Sequence, residues 1–185
     1  MEWSGNTVSE APREIQRPVE EVAVARAFYA GLGKDVCYFS ALWHTLNVGH
    51  MLTTDLDRIC RGYDLSVADF VLMGALRIDR PNQLRATDLA VTLQVSNGAL
   101  TARIGKLADR GMLVKSPAHG DRRAFTLELT PAGATKVDAI HSAVEQESHF
   151  VREVNRLPKT DRAALERIMG ELHGRLDRYF AHTHR

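Results

Sequence analysis

Apolar residues recur at helical spacing over the first third of the chain. From Val19 onward they lie on one side of a helix, which Gly31-Leu32-Gly33 should bend or end because glycine is a poor helix former. A longer helix is predicted over residues 34–61, where apolar positions alternate at three- and four-residue intervals. Ser66 is then predicted to cap a further helix that ends at Pro81-Asn82.

The middle of the chain predicts two short helices followed by a hairpin. Residues 86–93 form the first helix, and a second begins at Ser96 and ends at Gly111. The stretches 112–115 and 124–129 are rich in β-compatible residues and flank a long polar, basic loop, as in a β-hairpin.

Two more helices are predicted after the hairpin. Thr130-Pro131 combines a cap with proline in the first turn, and the helix should continue to about residue 156 on valines and isoleucine at heptad spacing. Leu157-Pro158 ends it, and Thr160 is predicted to cap the last helix. Residues 1–18 lack periodicity and are expected to form a flexible arm.

This order predicts a mostly α fold with a small β-hairpin wing. The helices of residues 19–62 and 131–182 bracket a winged helix-turn-helix at 66–130, and together they would form one domain with a dimerisation lobe. The terminal helices have broad apolar faces that one monomer cannot cover. A two-fold homodimer is the commonest way to bury such faces.

Composition narrows the class of protein. The chain is 44% hydrophobic and 25% charged over 185 residues, as in an ordinary globular domain. It has no apolar run long enough for a membrane span, no secretory signal pattern at the N-terminus, and only two cysteines, Cys37 and Cys60. A reduced, cytoplasmic protein is therefore expected.

The positive charge is concentrated in one segment. The whole chain has a formal net charge of +1, but six basic and two acidic residues give +4 between Ser96 and Phe125, which leaves −3 for the remainder. This segment includes the helix that a helix-turn-helix inserts into the major groove. Leu100, Ile104 and Leu107 should face inward, so the residues expected to contact DNA from this helix are Ser96, Asn97, Gly98, Thr101, Arg103 and Lys106.

The tip of the hairpin carries further candidate DNA contacts. His119, Arg122 and Arg123 would lie along the minor groove, whose negative potential favours arginine. Asp121 is expected to have a structural role in the wing, pairing with a nearby arginine, because a carboxylate would repel phosphate.

Residues 65–133 resemble the multiple antibiotic resistance regulator (MarR) family. The matching features are Leu65-Ser66 at a helix start, Leu89-Ala90 before the turn, Lys106-Leu107 followed by Gly111, the wing sequence Asp121-Arg122-Arg123, and Leu129-Thr130-Pro131-Ala132-Gly133. The resemblance implies a triangular homodimer that binds a palindromic operator. It also implies repression that is relieved by a ligand or an oxidant.

In that family the effector pocket lies between the dimerisation helices and the DNA-binding lobe. The residues of this chain in the corresponding region suit a small aromatic carboxylate or phenol, since they combine apolar walls with a cation. Aromatic residues such as Phe39 and Trp43 lie more often in a dimer core than in a pocket, and both roles stay open. The candidate effector-binding residues are Phe39, Trp43, His44, Asn47, His50, Met73 and Arg77.

Two branches of the family suggest other signals. The branch that senses organic peroxides has a reactive cysteine in a sequence similar to Cys37-Tyr38-Phe39, but here the thiol is more than a helical turn farther from Leu65. The urate-responsive branch has a carboxylate where this chain has Val71, although Arg103 matches its recognition helix. Peroxide sensing through Cys37 is the alternative mechanism, and urate is disfavoured.

No enzyme motif is present in the sequence. It lacks a phosphate-binding glycine loop, a nucleophile elbow and a zinc-protease helix. His141 and His149 do not have a ligand spacing, and the eight histidines are interpreted as incidental, with a low-affinity zinc site at His182 and His184 as the alternative. The protein is therefore expected to be no enzyme and to need no cofactor or metal. A protein-interaction module without DNA binding is the competing class.

Overall fold

The computed structural model describes residues 18–78, 89–90, 93, 95–118 and 121–183. The chain divides into two compact units, Met1–Met51 and Leu52–Arg185. The predicted domain boundaries at 18, 62 and 130 stay a prediction.

The first unit is built from α1 (Pro18–Gly31) and the beginning of α2 (Phe39–Arg61). Gly33 ends the first helix in a left-handed conformation with φ +72°, as the glycine pair predicts. The prediction that α2 begins at residue 34 is wrong. The Asp35 carboxylate accepts the Cys37 N–H at 2.9 Å, and this local turn holds the chain out of the helix.

The second unit contains the helix-turn-helix and the wing. Helix α3 (Val67–Ile78) follows its Ser66 cap, and α4 (Asn97–Asp109) follows Ser96, whose hydroxyl accepts the Ala99 N–H. Of the short helix predicted over 86–93, Leu89 and Ala90 are helical, and most of the remainder lies outside the described residues.

The wing is an antiparallel hairpin of β1 (Leu113–Ala118) and β2 (Asp121–Leu129). Leu113 pairs with Leu129 at the base, and Ala118 pairs with Asp121 at the tip. The strands are longer than predicted, so the connection between them is shorter than the predicted long basic loop. Cross-strand pairing continues through polar residues, which periodicity alone had assigned to the loop.

Three helices follow the wing, where the sequence predicted two. They are α5 (Pro131–Glu147), α6 (His149–Arg156) and α7 (Lys159–Thr183). The single helix predicted over 131–156 is interrupted at Ser148, which has an extended conformation with ψ 127°. The Ser148 hydroxyl accepts the Val151 N–H, so this residue both ends α5 and caps α6.

A distant carboxylate fixes this interruption. Asp55 Oδ2 accepts the Ser148 hydroxyl at 2.7 Å and the His149 N–H at 2.7 Å. Its other oxygen accepts Arg58 at 3.1 Å, and its side chain is only 10% exposed. Burial raises the pKa of Asp55, but the hydrogen bonds from Ser148, His149, Arg58 and Phe150 outweigh it and hold the pKa well below its usual range. We call this group the Asp55 joint.

Helix α7 also begins differently from the prediction. The carbonyl of Pro158 accepts the Asp161 and Arg162 N–H groups at 3.0 Å, so the helix starts at Lys159. Thr160 therefore lies inside the first turn and is not the cap.

The core of the second unit packs α3, α4, α5 and the wing around one apolar cluster. Its fully buried members include Leu72, Met73, Leu107, Leu113 and Ile140. The start of α5 lies directly on the start of the wing, because Thr130 N–H and hydroxyl both donate to the Met112 carbonyl. A Cβ at Gly133 would lie 2.0 Å from the same carbonyl oxygen.

Candidate nucleic-acid interface

Helix α4 buries one face and exposes the other. Leu100, Ile104 and Leu107 are at most 2% exposed, which confirms the predicted inward face. The Ser96 cap and the first three helical residues, 97–99, are all exposed, as are Thr101 and Lys106. The surface at the start of α4 is therefore small and polar, and it lets the helix backbone approach a groove closely.

The exposed polar side chains of α4 differ in how they are bonded. The hydroxyls of Ser96 and Thr101 take part in local bonds, the first as the helix cap and the second as a donor to the Asn97 carbonyl at 2.8 Å. Within the described part of the chain, no hydrogen-bond or ionic partner is found for the Asn97 amide or the Lys106 ammonium group. These two groups are thus available to a ligand.

Arg103 has a partner within the protein. Its Nη1 donates to Asp69 Oδ1 at 2.9 Å and to the Ser66 hydroxyl at 3.1 Å, and its side chain is 27% exposed. The other Asp69 oxygen accepts the Ser66 N–H and hydroxyl, while Ser66 accepts the Asp69 N–H. This capping box at the start of α3 is bonded directly to α4. The direct DNA contact predicted for Arg103 stays a prediction.

The sequence-based reasoning missed the role of Asp69, which is 1% exposed. Burial raises its pKa, but the hydrogen bonds from Ser66 and the positive charge of Arg103 lower the pKa below its ordinary value. The carboxylate is therefore ionised in the fold. A serine followed three residues later by a carboxylate is the pattern that could have indicated the capping box, but not the arginine 34 residues farther on.

Arg110 was counted in the positive segment, and it too has an internal contact. Its Nη1 donates to the Asp64 carbonyl at 2.7 Å. Asp64 has φ 60°, a conformation that is uncommon for residues other than glycine. Arg110 therefore supports the turn between α2 and α3.

The predicted wing contacts are only partly described. The backbone of Asp121, Arg122 and Arg123 lies in β2, and His119 lies outside the described residues. The side chains of these four residues also lie outside the description, so their predicted contacts remain predictions.

The predicted effector residues are distributed over both units. Phe39 is buried and its ring lies 6.0 Å from that of Trp43, which is exposed like His44 and His50. The Asn47 amide donates to the Trp43 carbonyl at 2.8 Å.

Two further members of the predicted set lie in the second unit. Met73 is fully buried in the core. Arg77 makes two hydrogen bonds of 3.0 Å to the carboxylate of Asp138, which also raises the pKa of Arg77.

The described ranges carry no feature of a metal centre or of a membrane span. They contain no group of three or more histidine, cysteine, aspartate or glutamate residues that could hold a metal ion. None of the helices there is both long and apolar enough to cross a membrane.

The fold and the exposed α4 define the class as a winged helix-turn-helix protein. The sequence is 28% identical over 124 residues to the HTH-type transcriptional regulator PecS of Dickeya dadantii. This match covers 65% of this chain and 75% of PecS. It is also 28% identical over 104 residues to the multiple antibiotic resistance protein MarR of Escherichia coli, covering 54% of this chain and 71% of MarR. No family model matches the chain.

A solved structure supports the same fold. The transcriptional repressor CouR, bound to a 23-mer DNA duplex, has a TM-score of 0.64 and 21% identity, covering 76% of this chain and 98% of CouR. Together these comparisons confirm the resemblance: the chain is similar in sequence and in fold to MarR-type winged-helix transcriptional regulators. Its relatives are regulators and not enzymes.

Proposed function

We propose that the protein is a homodimeric repressor that binds a palindromic operator in duplex DNA and is released from it by a small aromatic acid. The observation that carries DNA binding is the exposed face of α4, on which Asn97 at the start and Lys106 in the last turn are both available. Two copies of α4, related by two-fold symmetry, would enter successive major grooves about one helical turn apart.

The available groups on α4 have different roles in this proposal. Asn97 can pair with an adenine edge, while the Lys106 ammonium group neutralises a phosphate. CouR, the neighbour of similar fold, is itself a repressor described bound to duplex DNA. Arg122 and Arg123 would add minor-groove contacts from the wing.

A mobility-shift assay tests DNA binding. The probe is the DNA upstream of the protein's own gene, with a scrambled duplex of the same length as control. We expect preference for the natural sequence and a steep loss of affinity between about 50 and 200 mM salt. If neither duplex is shifted, or if both are shifted equally and independently of salt, operator binding is contradicted and the interaction-module alternative is favoured.

Lys106→Gln examines the assigned face in the same assay. The change removes one phosphate contact in each copy, so affinity should fall at low salt and the salt dependence should become shallower. Lys159→Gln makes the same chemical change at the start of α7 and serves as the control. A salt dependence that is unchanged in Lys106→Gln would show that α4 does not face the phosphates.

Dimerisation is supported by an apolar stripe on α7. Its members recur at intervals of three and four residues and are 37–65% exposed, so they form one continuous uncovered face. A second copy of the chain would bury this stripe against itself. The α7 stripe consists of Leu165, Ile168, Met169, Leu172, Leu176 and Tyr179.

The structure favours a ligand over an oxidant as the signal. The Cys37 Sγ lies 3.5 Å from Asp35 Oδ2, and this hydrogen bond and the negative charge of Asp35 raise the pKa of the thiol. Cys60 is buried, which also raises its pKa. Both environments oppose the thiolate that peroxide sensing requires.

The signal is tested by titrating the protein–operator complex. Benzoate and cinnamate should release the DNA in a saturable way, and hydrogen peroxide should release wild-type and Cys37→Ser protein equally little. If none of the aromatic acids releases the operator, the aromatic-acid proposal is wrong. Peroxide-induced release that disappears in Cys37→Ser would favour the redox alternative.

A further inference from the structure

The first unit contains a crevice between α1 and the beginning of α2. Its volume is about 320 Å³, near the lower end of the ~300–1,000 Å³ typical of small-molecule sites. Apolar side chains from one face of α1 form most of the wall, among them Val22, Ala23 and Ala27. Val36 closes it from the connection before α2.

Three hydrogen-bond donors line the same crevice. Arg26 comes from the face of α1 that carries Val22, while Ser40 and His44 lie one turn apart on α2. Over the described ranges, no carboxylate pairs with Arg26, and no hydrogen bond engages the Ser40 hydroxyl or the His44 ring. A cation and two polar groups thus converge on an apolar cavity without a partner.

We infer that this crevice binds the carboxylate of a small amphipathic acid. The Arg26 guanidinium offers two parallel N–H groups to the carboxylate, and Ser40 and His44 can donate to the remaining lone pairs. The hydrocarbon or aromatic part of the acid lies against Val22, Ala23 and Ala27. This inference deepens the proposed function because it locates the effector, and it shares only His44 with the residues predicted from the sequence.

Isothermal titration of the full-length protein with cinnamate and cinnamyl alcohol tests the site. The wild-type protein should bind the acid at least about 10-fold more tightly than the alcohol, since only the acid pairs with Arg26. Arg26→Gln should remove this preference, and Ala27→Leu, which fills the crevice, should weaken both ligands. Lys34→Gln removes a nearby charge that does not line the crevice, and it should behave like the wild type.

Each result has a defined meaning. Equal cinnamate affinity in Arg26→Gln and Lys34→Gln, or no binding to the wild type at millimolar concentration, overturns the site. If cinnamate releases operator DNA from wild type and Arg26→Gln equally well, the crevice is wrong while the proposed function stands. Loss of the dimer in Ala27→Leu by analytical ultracentrifugation would show that a second copy fills the crevice, which also overturns the inference.

Discussion

Position 133 requires glycine because the backbone of α5 lies very close there to the backbone of Met112. The motif Leu129-Thr130-Pro131-Ala132-Gly133 brings the first turn of α5 onto the start of β1, where Thr130 bonds to the Gly111 and Met112 carbonyls. A side chain at 133 would meet the Met112 carbonyl oxygen at 2.0 Å. The glycine therefore fixes how closely the wing and α5 approach each other.

Gly133→Ala should destabilise the protein by about 1–3 kcal/mol, because backbone must move to admit the methyl group. Gly170→Ala is the matched control, since its Cβ would meet nothing within 4 Å in the middle of α7. It should be neutral or stabilise the protein by up to about 1 kcal/mol. Urea unfolding measures both, and equal effects of the two substitutions would contradict the close approach.

Helix α4 shows which properties of a side chain can be predicted from the sequence. Leu100, Ile104 and Leu107 were correctly predicted to be buried because the helical period alone decides which side faces the core. The bond from Arg103 to Asp69 was not predictable, since it depends on how two helices pack. Periodicity assigns a residue to a side of its own helix, but it does not say which other helix a long side chain reaches.

At the scale of elements, the Asp69–Arg103 pair connects the start of α3 to the middle of α4. One carboxylate serves both as the capping-box acceptor of α3 and as the partner of Arg103. Helix α4 is therefore hydrogen-bonded to α3 as well as packed against the core. Arg103 acts here as a positioning residue for the face of α4 that is proposed to bind DNA.

A double-mutant cycle measures this connection. Asp69→Asn and Arg103→Gln, singly and together, should give a coupling free energy of unfolding of about 1–3 kcal/mol, because the carboxylate is buried. The exposed pair Asp57–Arg61, at 2.7 Å on α2, is the control cycle and should give about 0.5 kcal/mol or less. Coupling in the Asp69 cycle no larger than in the control would refute the positioning role.

The Asp55 joint shows why element boundaries resist prediction. Apolar heptad spacing continues from Val144 to Val151, so the pattern favours one unbroken helix. The interruption at Ser148 depends on a carboxylate 93 residues earlier in the chain, which no local pattern contains. The helix starts at Ser96 and Thr130, by contrast, were predictable because their caps are local.

The Asp55 joint should make stability depend on pH. Since the folded-state pKa of Asp55 lies below the unfolded value of about 3.9, ionised Asp55 stabilises the fold above that pH. The contribution is lost as the pH falls from about 4 through the folded-state pKa. Asp55→Asn should therefore cost about 1–3 kcal/mol at pH 7, and the difference from wild type should shrink below about pH 4.

Urea unfolding from pH 7 down to pH 3 gives this comparison, with Asp57→Asn as the control. Asp57 is a neighbouring carboxylate on α2 whose partner Arg61 is largely exposed, so its loss should change stability little at any pH. A pH-independent difference between Asp55→Asn and wild type would show that the charge of Asp55 does not stabilise the joint.

At the scale of the whole molecule, the exposed α7 stripe is the surface through which the proposed homodimer would assemble. Leu172→Glu should prevent dimerisation, because it places a charge in the centre of the stripe. Ala163→Glu introduces the same side chain nine residues earlier, about two and a half turns away and thus on the opposite side of the helix. That variant should remain a dimer.

Analytical ultracentrifugation measures the oligomeric state of both variants, and the mobility-shift assay measures their operator affinity. A monomeric Leu172→Glu protein should also lose most of its operator affinity, because two half-sites are then no longer bound together. If Leu172→Glu dimerises as the wild type does, the α7 stripe is not the dimer interface.

The single-residue break at Ser148 also has a mechanical consequence. Helix α7 has 25 residues and is therefore about 37 Å long, at about 1.5 Å per residue. A rotation of about 5° at Ser148, carried through α6 and α7, would displace the far end of α7 by about 3 Å, close to the ~3.4 Å spacing of successive base pairs. Any change of angle at the Asp55 joint would therefore be largest at the far end of α7, and one hydrogen-bonded carboxylate holds the helix break at which that angle is set.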